Sequence, residues 1–288
     1  MDIWNELEKF ISDQYSCIVC SSDSFSLWAK QNYLEAKKCK KCGMISVNPH
    51  LSKEGLDFFY KNYLKNRLED KLLSKQRESA YIIDKNWLEI FIDTGKILDV
   101  GCSGGFFLNK FDPKKWIRKG IEITNESKKF AEENFNIDVL VGNFIDLNIE
   151  ETFDVITFRG VIEHFSDPVT CLKKAVSILK KNAYLFISAT PNGSSFGFYV
   201  YREKWRLFTP LEHIHFFSIK HLDSILSKMN MKLVTWHYQY EETPYANIEN
   251  DYDKMIDDII LTKSDRKDEI QLSNAFPGNM LTAIWRKN

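Results

Sequence analysis

Residues 97–108 read Ile-Leu-Asp-Val-Gly-Cys-Ser-Gly-Gly-Phe-Phe-Leu, and this stretch decides the fold. A short apolar run leads directly into a glycine-rich turn, as in the first strand and turn of a doubly wound α/β sheet. Glycines at such a turn let a ligand approach the backbone closely at the carboxyl edge of the sheet. The stretch therefore predicts a strand, a ligand-binding turn and a helix after the turn.

The turn lacks the residues of two common nucleotide-binding motifs. A dinucleotide fingerprint needs glycine at the positions that Ser103 and Phe106 occupy here, so pyrophosphate on a helix terminus is disfavoured. A P-loop is excluded, because no Gly-Lys-Ser or Gly-Lys-Thr follows the glycines. The ligand of this turn therefore needs clearance near the backbone and no phosphate cradle.

Downstream of the turn, short apolar runs alternate with amphipathic segments. This alternation favours an α/β class fold, doubly wound, with a seven-stranded, mostly parallel sheet. Asp167 and Ser218 stand where side-chain oxygens cap the first turn of a helix. The expected helices cover residues 125–134, 168–180 and 219–229, and the expected strands cover residues 97–100, 116–123, 137–141, 153–158, 183–188, 232–237 and 280–285.

Two further strand ends carry polar side chains. Glu122 ends the second expected strand, where its carboxylate either accepts hydrogen bonds from ribose hydroxyls or lies at the edge in solvent. The fourth expected strand is followed by a polar cluster that begins at Arg159. Because the carboxyl ends of parallel strands meet at one edge, we expect Gly101, Glu122 and this cluster to converge on one pocket.

The turn resembles the acidic-x-Gly-x-Gly-x-Gly motif of the class I S-adenosylmethionine-dependent methyltransferases. Asp99, Gly101, Ser103 and Gly105 occupy its positions, with serine in place of the middle glycine. The resemblance implies a Rossmann-like methyltransferase fold and S-adenosylmethionine as cofactor. It also implies that Asp99 orients the amino group of the methionine part.

The resemblance continues after the third expected strand. In the family an acidic residue often stands there and contacts the adenine amino group. This chain has Asn143, whose amide oxygen can accept the same hydrogen bond. Phe144 either flanks the adenine ring or lies in the core.

Residues 162–164, Ile-Glu-His, resemble the Leu-Glu-His-like triplet that opens the active site in this family. Residues 190–195 and 210–218 resemble segments of bacterial members, including ones from surface-polysaccharide loci. The likeness covers roughly residues 95–240. It implies methyl transfer to a hydroxyl or carbon of a small polar acceptor, such as a nucleotide-linked sugar.

Transfer to a hydroxyl or an acidic carbon needs a group that removes a proton. Histidine is the default base, because its ordinary pKa lies near neutrality. His213 is the first candidate and His164 the second, with Glu163 and His215 as further candidates. The alternatives are that Glu163 and His164 shape the cofactor site and that the later histidines are structural.

Four cysteines form two CxxC pairs near the start of the chain. Cys17 and Cys20 make one pair, Cys39 and Cys42 make the other, and 18 residues separate them. This spacing predicts a zinc ribbon in which four thiolates bind one tetrahedral ion and a short hairpin joins the pairs. The alternative is two chance pairs of reduced cysteines. Such a ribbon ahead of a methyltransferase domain resembles the sugar C-methyltransferases of deoxysugar pathways.

Residues 53–90 carry apolar side chains at helical spacing, which predicts one or two helices bridging two domains. We therefore expect a zinc ribbon at 1–50, a helical linker or cap at 51–92 and a methyltransferase domain at 93–288. The positions with helical spacing are Leu56, Phe59, Tyr60, Tyr63, Leu64, Leu68 and Leu72.

The amino-acid composition limits which binding partners and which cellular compartment we expect for this chain. With 39 Lys and Arg against 40 Asp and Glu, the formal net charge of -1 supplies no global field for nucleic acid. The sequence has no run of about 20 apolar residues and no signal peptide at its start, so we expect a cytoplasmic protein without a membrane partner. The acidic stretch 241–258 is expected to be a solvated helix or loop.

Three functions fit these observations. The first is a small-molecule methyltransferase acting on a sugar-like acceptor. The second is an RNA or protein methyltransferase whose ribbon holds the substrate through Lys37, Lys38, Lys40 and Lys41. The third is a module that binds the cofactor without catalysis.

Overall fold

The structure is a computed structural model that describes residues 3–63, 71–241, 243–264 and 266–288, with the backbone alone at 63 and 71–76. Two sheets organise these residues, one with seven strands and one with four. The strands are β1 (Phe25–Gln31), β2 (Leu34–Cys39), β3 (Ile45–Val47), β4 (Gly95–Val100), β5 (Trp116–Glu122), β6 (Asp138–Val141), β7 (Phe153–Arg159), β8 (Leu179–Pro191), β9 (His215–Phe216), β10 (Met231–His237) and β11 (Met280–Lys287).

The seven-stranded sheet has the order β10-β11-β8-β7-β4-β5-β6. Strands β8, β7, β4, β5 and β6 run parallel, and β11 is antiparallel to both of its neighbours. This sheet confirms the doubly wound, mostly parallel fold. The expected strands all occur, each within a few residues of its predicted bounds.

Helices flank this sheet on both faces or connect it to the smaller one. Asp167 Oδ1 accepts a hydrogen bond from Thr170 N at 3.0 Å, and Ser218 Oγ accepts one from His221 N at 3.3 Å, so both expected N-caps are present. The helices are α1 (Ile3–Leu7), α2 (Lys53–Tyr63), α3 (Lys71–Glu89), α4 (Asn125–Phe135), α5 (Pro168–Ile178), α6 (Phe196–Tyr201), α7 (Ile219–Leu226) and α8 (Ile248–Thr262).

The expected helix after the glycine turn is wrong in extent. The chain makes only a single 3₁₀ turn, Leu108–Lys110, before β5 begins. Pro113 lies shortly after it and cannot donate the backbone hydrogen bond that helix propagation requires. The last turn of the expected helix at 168–180 is also replaced, because β8 already begins at Leu179.

Helices α2 and α3 account for the helical spacing between residues 53 and 90. Leu64 and Leu68 lie outside the described residues, as do the side chains of Tyr63 and Leu72. Among the described helices, none is long and apolar enough to cross a membrane.

The four-stranded sheet has the order β1-β2-β3-β9. Strands β1 and β2 form the antiparallel hairpin expected between the two cysteine pairs. Strand β9 comes from a distant part of the chain and pairs antiparallel with β3, where Ser46 lies opposite His215. The ribbon is therefore joined by backbone hydrogen bonds to the segment that follows His213.

The acidic stretch 241–258 is not wholly solvated. Asp251 and Asp258 on α8 are buried, which corrects the expectation of a solvated helix or loop. Asp251 accepts a hydrogen bond from the Tyr240 hydroxyl at 2.8 Å, and Asp258 accepts one from the Tyr201 hydroxyl. These partners exist only because α8 packs against α6 and the end of β10.

Candidate active site

The glycine turn lies at the carboxyl end of β4, as predicted. Gly101 has φ +73°, and a Cβ there would lie 2.7 Å from Cγ2 of Val161. Any other residue would be strained and would also clash, which explains the glycine. Ser103, at the middle position of the motif, adopts φ +50° and is exposed at the edge of the sheet.

Asp99 is buried at the end of β4, with 2% of its surface exposed. It lies opposite Thr157 on β7, and the Thr157 hydroxyl donates a hydrogen bond to Asp99 Oδ1 at 2.5 Å. Burial raises the pKa of Asp99 to about 7, while Thr157 and the nearby Arg159 guanidinium act in the opposite direction. A cation placed beside Asp99 would favour its ionised form.

Glu122 ends β5 and closes the turn from the other side. Its Oε2 accepts a hydrogen bond from Ser103 N at 2.9 Å, and its Oε1 accepts one from Ile123 N at 2.6 Å. Burial raises the pKa of this carboxyl, and the two backbone donors oppose the rise. Asp99, Glu122 and the turn thus lie on three adjoining positions of one sheet edge, in agreement with the expected convergence.

The segment after β6 carries the other two expected cofactor residues. Asn143 is exposed and its Oδ1 accepts a hydrogen bond from Ile145 N at 3.0 Å. Phe144 is buried and its ring lies 6.0 Å from that of Phe158. Of the two roles foreseen for Phe144, this packing corresponds to the core.

Three of the four candidate acid–base residues come together beyond the end of β7. Ligand-type atoms of Glu163, His164 and His213 all lie within 4.8 Å of one another. The two imidazole rings are 5.0 Å apart, and His164 Nε2 lies 3.9 Å from Glu163 Oε1. Tyr60 on α2 joins this group, because its hydroxyl lies 3.2 Å from His164 Nδ1. We call these four residues the acceptor cluster.

His213 has a defined tautomer. Its Nδ1 lies 2.8 Å from the Leu207 carbonyl oxygen, which can only accept a hydrogen bond. Neutral His213 therefore carries its proton on Nδ1, and Nε2 keeps a lone pair. This is the protonation state that a general base requires.

Glu163 is the buried member of the acceptor cluster, with 1% of its surface exposed. The Thr190 hydroxyl donates a hydrogen bond to its Oε2 at 3.2 Å. Burial raises the pKa of Glu163 to about 8, against the effect of its hydrogen bonds. Its charge is therefore sensitive to whatever binds beside it.

His215 does not belong to the acceptor cluster. It lies on β9, is fully buried, and its Nδ1 is 3.0 Å from Ser46 Oγ. Burial lowers its pKa to about 3. This candidate base is therefore a structural residue of the ribbon sheet.

Two features around the site were not predicted from the sequence. Thr157 interrupts the apolar run of β7, which was a usable signal, but its place opposite Asp99 depends on the register between β4 and β7. The contact between Tyr60 and His164 was not predicted, because the two residues lie 104 positions apart in the sequence.

A family model described as a methyltransferase domain matches residues 66–235, which is more than half of the chain. The chain belongs to this family. The matched region is therefore a methyltransferase domain, the kind of domain that the glycine turn and the triplet indicated.

Curated proteins similar to this methyltransferase are O-methyltransferases of ubiquinone biosynthesis. The ubiquinone biosynthesis O-methyltransferase of Haemophilus ducreyi is 29% identical over 104 residues, which is 32% of this chain and 44% of the relative. That of Actinobacillus pleuropneumoniae is 34% identical over a stretch of the same length. The chain thus matches less than half the length of these curated relatives.

Solved structures share the fold of the methyltransferase. A Thermotoga maritima protein described as a possible histamine N-methyltransferase is 18% identical with a TM-score of 0.53, over 81% of this chain and all of that one. Magnesium protoporphyrin IX methyltransferase from Synechocystis, solved with bound S-adenosylhomocysteine, is 10% identical with a TM-score of 0.54, over 81% and 97% of the two chains.

The sheet edge of the methyltransferase fits its cofactor. S-adenosylmethionine carries an ammonium group, which suits the buried carboxylate of Asp99, and two ribose hydroxyls, which suit a carboxylate such as Glu122 at the end of the next strand. The glycine turn leaves room for the ligand between the carboxylates of Asp99 and Glu122.

The four ribbon cysteines of the methyltransferase converge as predicted. Cys17 and Cys42 have their sulfurs 3.5 Å apart, those of Cys20 and Cys39 are 3.6 Å apart, and all four lie within 4.8 Å of one another. Tetrahedral zinc with four thiolates places the sulfurs about 3.8 Å apart, so this donor set fits the ion. His221 on α7 lies beside this group, and its Nε2 donates to the Cys42 carbonyl at 3.1 Å.

Proposed function

We propose that the methyltransferase transfers the methyl group of S-adenosylmethionine to a hydroxyl of a small polar acceptor bound at the acceptor cluster. The observation that carries the proposal is the grouping of His213 with His164 and buried Glu163, in which the Leu207 carbonyl oxygen places the proton of neutral His213 on Nδ1. The similarity to O-methyltransferases of ubiquinone biosynthesis favours an oxygen acceptor over a carbon.

In this proposal the sheet edge binds the cofactor. Asp99 binds the ammonium group and Glu122 binds the ribose hydroxyls, while Gly101, Ser103 and Gly105 provide the backbone path around them. The side chain of Asn143 contacts the adenine amino group, and Phe144 supports that contact from the core.

The cofactor, when bound, supplies an electrophilic methyl group on a sulfonium sulfur. The acceptor hydroxyl attacks this methyl carbon in line, the bond from carbon to sulfur breaks, and its electron pair stays on sulfur. His213 Nε2 takes the hydroxyl proton, which contributes a factor of about 10² to 10⁴ to the rate. His164, held by Tyr60, and Glu163 orient the acceptor through hydrogen bonds.

A polar acceptor suits the acceptor cluster, because two imidazoles, a phenol and a carboxyl line it. Nucleotide-linked sugars are the acceptors we propose. The lysines of the ribbon give little support to RNA: Lys37 lies 3.9 Å from the Glu35 carboxylate, and Lys38 stacks over Trp28 with its Nζ 4.6 Å from the ring centroid.

A mass-spectrometric screen for a 14-dalton gain tests this function. Nucleotide sugars, catechols and other phenols, short RNAs and protein extracts would each be incubated with the donor. Methylation of a nucleotide sugar at oxygen is the expected result. Methylation of phenols alone would refute the sugar assignment, methylation of RNA or protein would refute the small-molecule assignment, and tight donor binding without any product would indicate an inactive module.

We also propose that Cys17, Cys20, Cys39 and Cys42 bind one structural zinc ion. In this arrangement residues 1–50 form the zinc ribbon, residues 51–92 a helical cap and residues 93–288 the methyl-transfer unit. Elemental analysis of reduced protein should find one zinc per chain, and Cys39→Ser should abolish it. Cys171→Ser is the matched control. Cys171 is a buried cysteine on α5, so its substitution should leave the zinc content unchanged.

A further inference from the structure

Arg159 is a charged residue at the carboxyl end of β7 to which the proposed function gives no role. It follows Thr157 by two positions, so both side chains point to the same face of the sheet. Thr157 hydrogen-bonds Asp99, and the Arg159 guanidinium is close enough to lower the pKa of that carboxyl. Arg159 therefore lies next to the residue proposed to bind the ammonium group of the cofactor.

The guanidinium is held firmly on one edge. Its Nε donates to Asp84 Oδ2 at 2.8 Å, and Gln239 Nε2 donates to Asp84 Oδ1, also at 2.8 Å. Asp84 on α3 is fully buried, so this ion pair is shielded from solvent.

Aromatic rings fix the plane of the guanidinium. Its Cζ lies 4.3 Å from the centroid of the Tyr81 ring and 5.9 Å from that of Phe107. Within the described ranges of the chain, neither Nη atom of Arg159 makes a hydrogen bond. A pre-oriented pair of donors is thus available at the cofactor edge.

We infer that Arg159 binds the carboxylate of the methionine part of the cofactor through its Nη groups. The inference rests on the proposed role of Asp99 and completes it, because an amino acid presents an ammonium and a carboxylate on the same carbon. Arginine matches a carboxylate with two parallel hydrogen bonds. Asp84 and Gln239 are positioning residues that hold the guanidinium by its Nε edge.

A purely structural interpretation also accounts for the bond between Arg159 and Asp84, since it ties α3 to the sheet. The two interpretations differ in one measurable respect. A carboxylate-binding arginine makes the protein prefer ligands that carry the carboxylate, whereas a structural arginine leaves that preference unaffected.

Calorimetric titration with two donors distinguishes them. S-adenosylmethionine and its decarboxylated analogue share the adenosine, the sulfonium and the amine, and they differ in the carboxylate. Charge-assisted hydrogen bonds predict that the wild type binds the complete donor about 10- to 100-fold more tightly. In Arg159→Met this ratio should fall to near one, with the affinity for the decarboxylated analogue almost unchanged.

Two further variants distinguish a loss of carboxylate binding from a folding defect. Arg159→Met leaves Asp84 buried without its cation, so the double variant Asp84→Asn with Arg159→Met removes the stranded charge and should also have a ratio near one. Arg118→Met is the matched control, because Arg118 is a partly buried arginine of β5 that donates to the Phe111 and Phe135 carbonyl oxygens. It should keep the wild-type ratio.

The outcomes separate this inference from the proposed function. A wild-type ratio near one, or a wild-type ratio retained in the folded double variant, overturns the carboxylate assignment of Arg159 alone. Failure of the wild type to bind S-adenosylhomocysteine, or unchanged affinity in Asp99→Asn, overturns the proposed cofactor site itself.

Discussion

The two halves of the proposed active site are assembled in different ways. On the cofactor side, Asp99, Thr157 and Glu122 lie at or near the carboxyl ends of three neighbouring strands of one sheet. On the acceptor side, Tyr60, the pair Glu163 and His164, and His213 come from three distant segments. A motif within one stretch of sequence specifies the first half, whereas packing between separate units brings the second half together.

The acceptor side depends on the ribbon. Ile214, next to His213, donates its N–H to the Glu163 carbonyl at 2.9 Å and accepts a hydrogen bond from Val47 N at 2.8 Å. The loop that carries His213 thus continues into β9, the fourth strand of the ribbon sheet. The ribbon therefore supports the acceptor half of the proposed site, while strands of the large sheet build the cofactor half.

The largest effect is expected for His213→Ala. Loss of the base should lower kcat about 10²- to 10⁴-fold and leave the affinity for S-adenosylhomocysteine within about twofold, because His213 belongs to the acceptor half. Single-turnover kinetics and calorimetry measure the two quantities. His237→Ala, on edge strand β10, is the control and should keep kcat. Equal losses in kcat and in affinity would contradict the separation of the halves.

Two glycine variants, each of which disturbs the backbone of one half, test whether the acceptor half and the cofactor half are independent. In Gly193→Ala the Cβ would lie 2.0 Å from the Phe216 carbonyl oxygen and displace β9, so kcat should fall about 10- to 100-fold with cofactor affinity retained. In Gly101→Ala the positive φ and the contact with Val161 should instead weaken cofactor binding about 10- to 100-fold. Loss of both properties in either folded variant would show that the halves are coupled.

A smaller effect concerns the pH dependence of the cofactor half. Burial holds the pKa of Asp99 at about 7, so this carboxyl is protonated at pH 6 and ionised at pH 8. Only the ionised form attracts an ammonium group, and wild-type affinity for S-adenosylhomocysteine should therefore fall about tenfold from pH 8 to pH 6. Asp99→Asn should bind weakly and with a flat profile across this range.

The control for this titration is Glu122→Gln. It should weaken binding at every pH while keeping the fall attributed to Asp99, because Asp99 still titrates. A wild-type profile that rises towards pH 6 would contradict the assignment of the ammonium to Asp99.

The smallest effect is expected for Tyr60→Phe, which removes the hydroxyl beside His164. A neutral hydrogen bond is worth about 1 kcal/mol, so kcat should fall only about 2- to 10-fold, with unchanged cofactor affinity. Tyr184→Phe, on the far side of the sheet near Phe91, should leave both values unchanged. An unchanged kcat in Tyr60→Phe would show that Tyr60, and with it α2, does not contribute to the acceptor half.

Much of the geometry of the cofactor half was predictable because its determinants are local. The meeting of Gly101 and Glu122 was predicted from a turn and a strand end, since parallel strands bring their carboxyl ends to one edge, whereas the role of Asp99 came from the family resemblance. The converging cysteines were equally predictable from their spacing. Thr157 needed the register between β4 and β7, which periodicity alone does not supply.

Predictions from local sequence patterns were wrong where packing between distant segments determines the structure. The helix expected after the turn shortened to one 3₁₀ turn, and the acidic stretch buried Asp251 and Asp258 against tyrosine hydroxyls. His215 was a reasonable base by residue type, yet pairing of β9 with β3 buries it completely. Each difference arises from a contact between segments far apart in the chain.

By itself, the sequence determined the alternation of strands and helices, the glycine turn with its acidic neighbours, and the two cysteine pairs. These features follow from backbone conformation and residue spacing over a few positions, which each segment carries with it. Only the tertiary structure decided that Tyr60 meets His164, that His213 Nδ1 lies against the Leu207 carbonyl oxygen, and that Arg159 is held by Asp84. Such contacts depend on how separate units bury their apolar faces against one another, and no local pattern encodes that packing.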